Sequence, residues 1–406
     1  MGECIELEKK FFLRCKEQLM EIIRQEKLNL IETAQELDEY FTDIHSVFIK
    51  NRVCLRIRKT NNTHMELTFK GKSSEFGNFY AKTENNLTVS INEYEQVVHF
   101  LSSLGYQSYV IVKKHREVYS TIENNIHYNI MVDDIEDIGT FVEIEILSEK
   151  GVHNVEYLTE ELNKLVKKFS NINLENADMP YRDFVAKEIY NKMKIPTSLK
   201  ALLIDLDGTL INSEKFFYET YKDVLWDGYS VNISYEDYEN HEMAQNNNLN
   251  KDISESEIMQ KIYTRYETEF SNLIGDSDTL LNFELLKMLK TQTNIKLALV
   301  TTSKEHYVNI LLDKLDIRNL FDVIITRESV KNLKPAPDAY LNTIKLLQLT
   351  ETEVLVLEDS ERGIQAARNA SLPIVGVSKF KKECSKEYYL DTFARFALIF
   401  MNHFKK

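Results

Sequence analysis

Charged residues recur at every second position in the first part of this chain. In IELEKK, Glu6, Glu8 and Lys10 alternate with apolar and outward positions. Alternate side chains of a strand share a face, so two acids and a base would line one side while Ile5, Leu7 and Phe11 serve the other. The pattern returns with Arg56 and Arg58, with Glu66, Thr68 and Lys70, with Lys114 and Arg116, and with Glu143 and Glu145. Taken singly, each reads as a strand with a wet face. Together they predict a closed antiparallel barrel whose lumen carries the charges. Such charges cost free energy unless they are paired or ligated. Clustered Arg and Lys suit the oxygens of a phosphate chain, and clustered Glu suits a hard divalent ion bridging the same oxygens. A metal triphosphate satisfies both sets. The alternative is a salt-bridge network that satisfies itself.

A second constellation lies further along. LLIDLDGTL places Asp205 and Asp207 just beyond an apolar strand. One carboxylate can attack phosphorus to give an aspartyl-phosphate, while the other protonates the leaving oxygen and then activates water. Thr301 follows LALV and could hydrogen-bond a phosphoryl group, Lys334 in KPAPD offers a fixed positive charge, and Asp359 in VLEDS brings an acid to another strand end. An isolated DxD is commonly a pair of turn aspartates, a reading that weakens as these later pieces are added.

These residues need positioning elements. RVCLRIRK, HMELTFKG, NNLTVS, YVIVKKHREVY, HYNIMVDD and TFVEIEIL read as strands. INEYEQVVHFLSSLG has helical spacing and stops at Gly105, and NVEYLTEELNKLVKKF predicts an amphipathic helix. Near KMKIPTSLK the pattern changes, with Pro196 marking a linker over 193–199 between domains at 1–192 and 200–406. Beyond it, uniformly apolar strands alternate with helices, which predicts a Rossmann-like parallel α/β sheet covered on both faces. Residues 214–285 read as a helical cap. Its KFFYETY aromatics and Trp226 could stack on a base or form cap core, and AQNNNLN reads as a loop.

With 406 residues, two domains are expected. Hydrophobic content of 43% and charged content of 28% fit a globular protein, with no uncharged run of transmembrane length and no secretory leader in the charged start. Gly2 lacks the Ser or Thr that a myristoylation signal needs at the position of Glu6. Cys4, Cys15, Cys54 and Cys384 form no close pair, which suits reduced thiols in the cytoplasm. The net charge of -14 argues against general nucleic-acid binding. Small phosphorylated substrates remain the expected partners, and no membrane partner is expected.

Residues 1 to about 190 resemble the CYTH family, the triphosphate tunnel enzymes that include class IV adenylyl cyclases, thiamine triphosphatases and inorganic tripolyphosphatases. The matching pieces are the ExExK signature, LDEYF, LRIR, LTFKG, KKHREVY, DDIEDIGTFVEIE and PYRDF. The resemblance implies metal ligands at Glu6, Glu8, Glu143 and Glu145, with Asp134 or Asp133 nearby, and phosphate contacts from Lys10, Arg56, Arg58, Lys70, Lys114 and Arg116. One departure is AKTENN, where Lys82 stands with Glu84 and relatives commonly carry Arg. Lysine keeps the charge and loses the fork. With Mg2+ or Mn2+, the tunnel would hydrolyse a triphosphate or, alternatively, cyclise ATP to cAMP and pyrophosphate. A third reading is a sensor of polyphosphate or nucleotide that regulates the second domain.

Residues 200 to about 404 resemble the haloacid dehalogenase superfamily, with DLDGTL and LEDSERGIQAA most like its beta-phosphoglucomutase and phosphoglycolate phosphatase branch. Carried over, Asp205 is nucleophile, Asp207 acid/base, and Thr301 and Lys334 are phosphate anchors. Asp359, assisted by Glu358, would hold Mg2+ together with Asp205 and the Asp207 carbonyl. The expectation is a bifunctional metal-dependent phosphohydrolase.

Overall fold

The computed structural model describes residues 4–71, 74–76, 79–81, 84–149, 151–172, 174–211, 213–234, 260–261, 264–265, 277–377 and 387–404. The chain divides into two compact units, Met1–Tyr190 and Asn191–Lys406. Lys82, the AQNNNLN segment, Cys384 and much of the expected cap lie outside the described residues.

In the first unit the alternating segments become antiparallel strands: β1 (Cys4–Leu13), β2 (Asn29–Asp43), β3 (Cys54–Thr60), β4 (His64–Lys70), the short pair β5 (Ser74–Phe76) and β6 (Phe79–Ala81), β7 (Glu84–Val89), β8 (Tyr106–Glu123), β9 (Ile126–Ile135), β10 (Gly139–Glu149) and β11 (Leu174–Asn176). Among the described residues the large sheet runs β11-β1-β10-β9-β8-β2-β3-β4-β7. The expected closed ring is therefore not completed by ladder bonds between the described strands. Phe11 to Leu13 of β1 instead pair with β11, while β6 lies against β1.

Turn chemistry sets the register. Asn124 and Asn125, at φ 50° and 60°, make the two-residue link between β8 and β9 that a hairpin's twist favours. The ladder this fixes puts Arg116 opposite Asp133. The β1–β10 ladder puts Glu8 opposite Glu145 and Lys10 opposite Glu143. A one-residue slip would send every one of these charges to the apolar face.

That apolar face is covered by α1 (Lys16–Gln25) and by α4 (Val155–Lys168), the latter following α2 (Val47–Lys50) and α3 (Tyr94–Ser103) in the chain. The Asn154 side chain caps α4 by accepting from the Tyr157 amide at 2.8 Å. Leu158, Leu162 and Leu165 then repeat at helical spacing and bury against Leu7, Ile144 and Ile146, each burial contributing about 1.5–3 kcal/mol. With its outer face sealed in this way, the sheet is left with its charged face turned inward. α5 (Tyr181–Lys192) follows β11.

The second unit contains β12 (Ala201–Ile204), β13 (Lys296–Val300), β14 (Val323–Ile325), β15 (Val354–Glu358), β16 (Ile374–Val377) and β17 (Tyr388–Leu390). Their order is β14-β13-β12-β15-β16-β17, with every neighbouring pair parallel. The helices bounded within the described residues are α6 (Ser213–Tyr229), α7 (Ser277–Thr293), α8 (Glu305–Lys314), α9 (Asp338–Leu347), α10 (Glu361–Asn369) and α11 (Phe393–His403). α9 and α10 cover one face of the sheet through Ala339, Tyr340, Ile344, Ala366 and Ala367. Residues of the opposite parity, such as Leu202, Leu299 and Leu355, are fully buried as well, as a two-sided sheet requires. From β12 the sheet grows toward β13 on one side and β15 on the other, the switch of strand order at whose carboxyl end open α/β sheets place their ligands. Trp226 of α6 is 59% exposed, which corrects the expectation that it belongs to cap core. No described helix is long and apolar enough to cross a membrane.

Candidate active sites

Glu6 and Glu8 share the inner face of β1, and the ladder brings Glu145 of β10 opposite Glu8. Ligand oxygens of these three carboxylates lie within 4.8 Å of one another. Asn129 donates to Glu145 Oε1 at 2.8 Å. Burial and the charge of Glu6 nevertheless push the Glu145 carboxyl up to about 7. Glu8 is exposed along its side chain, yet crowding at its carboxyl and the charge of Glu143 raise its pKa. The Lys10 and Lys70 charges offset part of that rise, and Lys70 shares the face of β4 that carries Glu66 and Thr68. An all-carboxylate cluster whose members repel one another fits a hard divalent cation.

Beside the acids lies an arc of cations. Arg58 grips Asp38 through two bonds of 2.6 and 2.7 Å and reaches Glu36 at 3.2 Å. Arg56 stands 3.5 Å from Asp38 and donates to Thr68 at 3.4 Å, while its buried Nε has no hydrogen-bond partner among the described residues. Lys114 lies 2.9 Å from Glu36 and 3.8 Å from Asp133. Arg116 donates through Nε to Asp133 at 2.6 Å and through Nη2 to Glu143 at 2.6 Å, and Lys10 meets Glu143 at 2.9 Å. Burial opposes the charge on Asp38, but Arg56 and Arg58 outweigh it and hold the carboxyl well below its usual range. The acids thus hold the cations in place before any ligand arrives, and the orphaned Arg56 donor offers a ready contact for a phosphate oxygen.

Two of the expected metal ligands lie outside the cluster of Glu6, Glu8 and Glu145. Glu143 is opposite Lys10 in the ladder, and its oxygens are taken by Lys10 and Arg116 rather than by the acid cluster. Burial works against its charge, yet Lys10 and Arg116 keep the carboxyl well below the ordinary range. Asp134 alternates with Asp133 and so faces the other way, where Thr140 donates to it at 2.5 Å and Lys16 at 3.4 Å. Asp133, fully buried, is the inward member and serves Arg116. Glu36 and Asp38 were missed as site residues, although they alternate within ELDEY as the other charged pairs do.

In the second unit, Asp205 follows β12, Thr301 follows β13, and Glu358 with Asp359 ends β15. Lys334 is 3% exposed, and its ammonium donates to Asp205 Oδ1 and Glu358 Oε2, both at 2.6 Å, and to the Val300 carbonyl at 2.9 Å. Oxygens of Asp205, Glu358 and Asp359 lie within 4.8 Å of one another. Burial and Glu358 push the Asp205 carboxyl up to about 8 despite Lys334. Asp359 rises well above its usual range through burial, Glu358 and Asp205. Three clustered carboxyls, two of them on one ammonium, favour uptake of a proton or a metal cation.

Glu358 is less available than the sequence implies. Its Oε2 also accepts from the Tyr340 hydroxyl at 2.7 Å, and its Oε1 accepts from the Ser360 hydroxyl at 2.8 Å. Glu358 thus already serves Lys334, Tyr340 and Ser360 while keeping an oxygen in the cluster with Asp205 and Asp359. The Asp207 carboxyl is turned to the Ser303 hydroxyl, which donates to Oδ2, and stands apart from the acid cluster. That orientation suits acid/base work. Ser303 was missed, although it lies two residues beyond Thr301, whose hydroxyl accepts from the Ser303 amide at 3.0 Å.

Gly208 forms part of this cradle. At φ +79° it occupies backbone space that costs another residue about 1–2 kcal/mol, and an added Cβ would fall 1.9 Å from Asp359 Oδ2. Gly208→Ala is therefore expected to displace Asp359, lower the melting temperature by about 2–4 °C per kcal/mol, and slow any turnover that depends on this acid cluster. Equal melting and equal turnover would contradict this placement.

The acid clusters also set a pH dependence. Raised carboxyl values mean that the folded, metal-free protein binds more protons than the unfolded chain, so stability falls as pH rises from about 5 toward 8. Mg2+ competes with those protons. The rise in melting temperature on adding Mg2+ should thus be larger at pH 8 than at pH 6, and an equal or opposite trend in calorimetry would argue against cation sites in these clusters.

The family model for the CYTH domain matches residues 4–177, and that for haloacid dehalogenase-like hydrolase matches 202–377. Pyrophosphatase PpaX of Bacillus mycoides is 30% identical over 189 residues, spanning 46% of this chain and 85% of its own. The phosphorylated carbohydrates phosphatase of Thermotoga maritima is 28% identical over 183 residues, spanning 43% of this chain and 82% of its own. Among solved structures, a conserved hypothetical protein of Pyrococcus furiosus is 23% identical, covers 44% of this chain and 99% of its own, and superposes with a TM-score of 0.36.

Proposed function

Because the chain belongs to the haloacid dehalogenase-like hydrolases and carries a CYTH domain ahead of that hydrolase domain, we propose that it is a phosphohydrolase with two separate centres, the first acting on a triphosphate and the second on a small phosphomonoester or pyrophosphate. What carries the reading is the joining of an inward arc of phosphate-binding cations to an all-carboxylate cluster in the first unit, alongside a Lys334-bound Asp205 in the second.

In the tunnel, Lys10, Arg56, Arg58, Lys70, Lys114 and Arg116 would exchange part of their carboxylate contacts for phosphate oxygens, with Arg offering bidentate forks. Water attack on the terminal phosphorus breaks its bridging P–O bond and yields orthophosphate and a diphosphate. In the second centre the Asp205 carboxylate attacks phosphorus while Asp207 protonates the departing oxygen. Asp207 then takes a proton from the water that cleaves the aspartyl-phosphate, returning Asp205 and releasing orthophosphate. Thr301 and Lys334 hold the phosphoryl oxygens. A divalent cation, held by Glu6, Glu8 and Glu145 in one centre and by Asp205 and Asp359 in the other, would supply charge neutralisation for the phosphates.

The relative named as a pyrophosphatase gives the fusion a chemical logic, since hydrolysis of tripolyphosphate in the first centre makes pyrophosphate for the second. The test is orthophosphate release from tripolyphosphate, pyrophosphate and a panel of sugar phosphates, with Mg2+ and after chelation. Metal-dependent release from a triphosphate and from at least one of the others is expected. Absence of release from every compound would overturn the reading.

A further inference from the structure

PYRDF places Tyr181 at the first position of α5, and its side chain enters the charged interior of the first unit. Tyr181 is 4% exposed. Its hydroxyl donates to Asp133 Oδ2 at 2.9 Å, and the face of its ring lies 3.9 Å from Lys10 Nζ and 5.4 Å from Lys114 Nζ. Phe141 meets the ring edge-on at 5.1 Å. The next residue, Arg182, is 2% exposed and donates to the carbonyls of Val53 and Phe48, fixing the start of α5 beside the strand that bears Arg56.

From these contacts we infer that Tyr181 is a positioning residue of the triphosphate site, setting Lys10 through its ring and Arg116 through Asp133. The inference rests on the reading of the first unit as a triphosphate site. An aromatic face attracts the ammonium without accepting a conventional N–H bond, so Lys10 is held in place while its donors serve Glu143 and an incoming phosphate. Asp133 is fully buried and orients Arg116, and the Tyr181 hydroxyl supplies a second donor that keeps this acid in one rotamer. Tyr181 itself takes no part in the chemistry, so its loss should weaken ground-state and transition-state binding alike.

The experiment measures tripolyphosphate turnover by the full chain carrying Tyr181→Phe or Tyr181→Leu. Tyr181→Phe keeps the ring and loses the hydroxyl; KM should rise about threefold to tenfold, the worth of one hydrogen bond, with kcat nearly unchanged. Tyr181→Leu loses both contacts and should raise KM further. Melting temperature and phosphomonoester hydrolysis report folding. If Tyr181→Phe retains wild-type KM, or only lowers the melting temperature, the positioning role is overturned, and this variant decides the matter should Tyr181→Leu fail to fold. If the unaltered protein neither binds nor turns over a triphosphate, the reading of the first centre fails, and this inference with it.

Discussion

Asp205→Asn is expected to lower phosphomonoester hydrolysis by at least about 10^4-fold, the scale on which loss of a nucleophile acts, while triphosphate hydrolysis continues at the wild-type rate. Asparagine has nearly the shape of aspartate and can still accept from Lys334, but its amide cannot form the acyl-phosphate. The substitution also removes one of three clustered carboxyls, two of which meet a single ammonium. Because burial and Glu358 already push Asp205 up to about 8, taking away its charge relieves repulsion. Stability should therefore hold or rise, most visibly above pH 8. Inactivity with intact melting would identify a chemical role, whereas retained monophosphatase activity would remove Asp205 from it.

Glu8→Gln is expected to reduce triphosphate hydrolysis about 10^2 to 10^3-fold, the range seen when one preorganised electrostatic contact is lost, and to raise the Mg2+ concentration required. Phosphomonoester hydrolysis should be untouched. Glu8 belongs to the cluster with Glu6 and Glu145, whereas Glu143 on the same face serves Lys10 and Arg116. Glu143→Gln should accordingly raise the KM for triphosphate with less change in the metal requirement. Identical metal dependence in the two variants would contradict the division between acids that gather a cation and acids that hold cationic side chains.

That division was only half legible in the sequence. Alternation shows which face a charge lies on, and Glu6, Glu8, Lys10, Arg56, Arg58, Lys114, Arg116, Glu143 and Glu145 do lie on the inner face. It does not show which charge faces which. Partners follow from ladder register, which the β8–β9 turn at Asn124 and Asn125 and the β1–β10 pairing impose over long sequence separations. The sequence leaves Asp134 and Asp133 as alternatives, and the strand turns Asp133 inward to Arg116 while Asp134 faces the other way. The sequence predicts a closed ring, whereas among the described residues the three-residue β11 pairs with the edge of β1 that a ring would use.

In the second unit the apolar strands announced the fold, and the DLDGTL motif named acids that the structure sets at a strand end, because a two-sided parallel sheet leaves few places for its charges. Supporting contacts were harder to read. Tyr340 and Ser360 claim the oxygens of Glu358, and Gly363 makes room for that carboxylate, since a Cβ there would fall 1.9 Å from its Cδ. Such contacts depend on packing between α9, α10 and β15 rather than on local spacing.

The most direct measurement is product separation by phosphorus NMR after the intact chain carrying Asp205→Asn is incubated with Mg2+ and, separately, tripolyphosphate, thiamine triphosphate and ATP. With the second centre silenced, at least one triphosphate should yield orthophosphate and the matching diphosphate in equal amounts, and Glu8→Gln in the same chain should stop it. Cyclic nucleotide with pyrophosphate from ATP, or no turnover of any triphosphate, would contradict hydrolysis at the first centre.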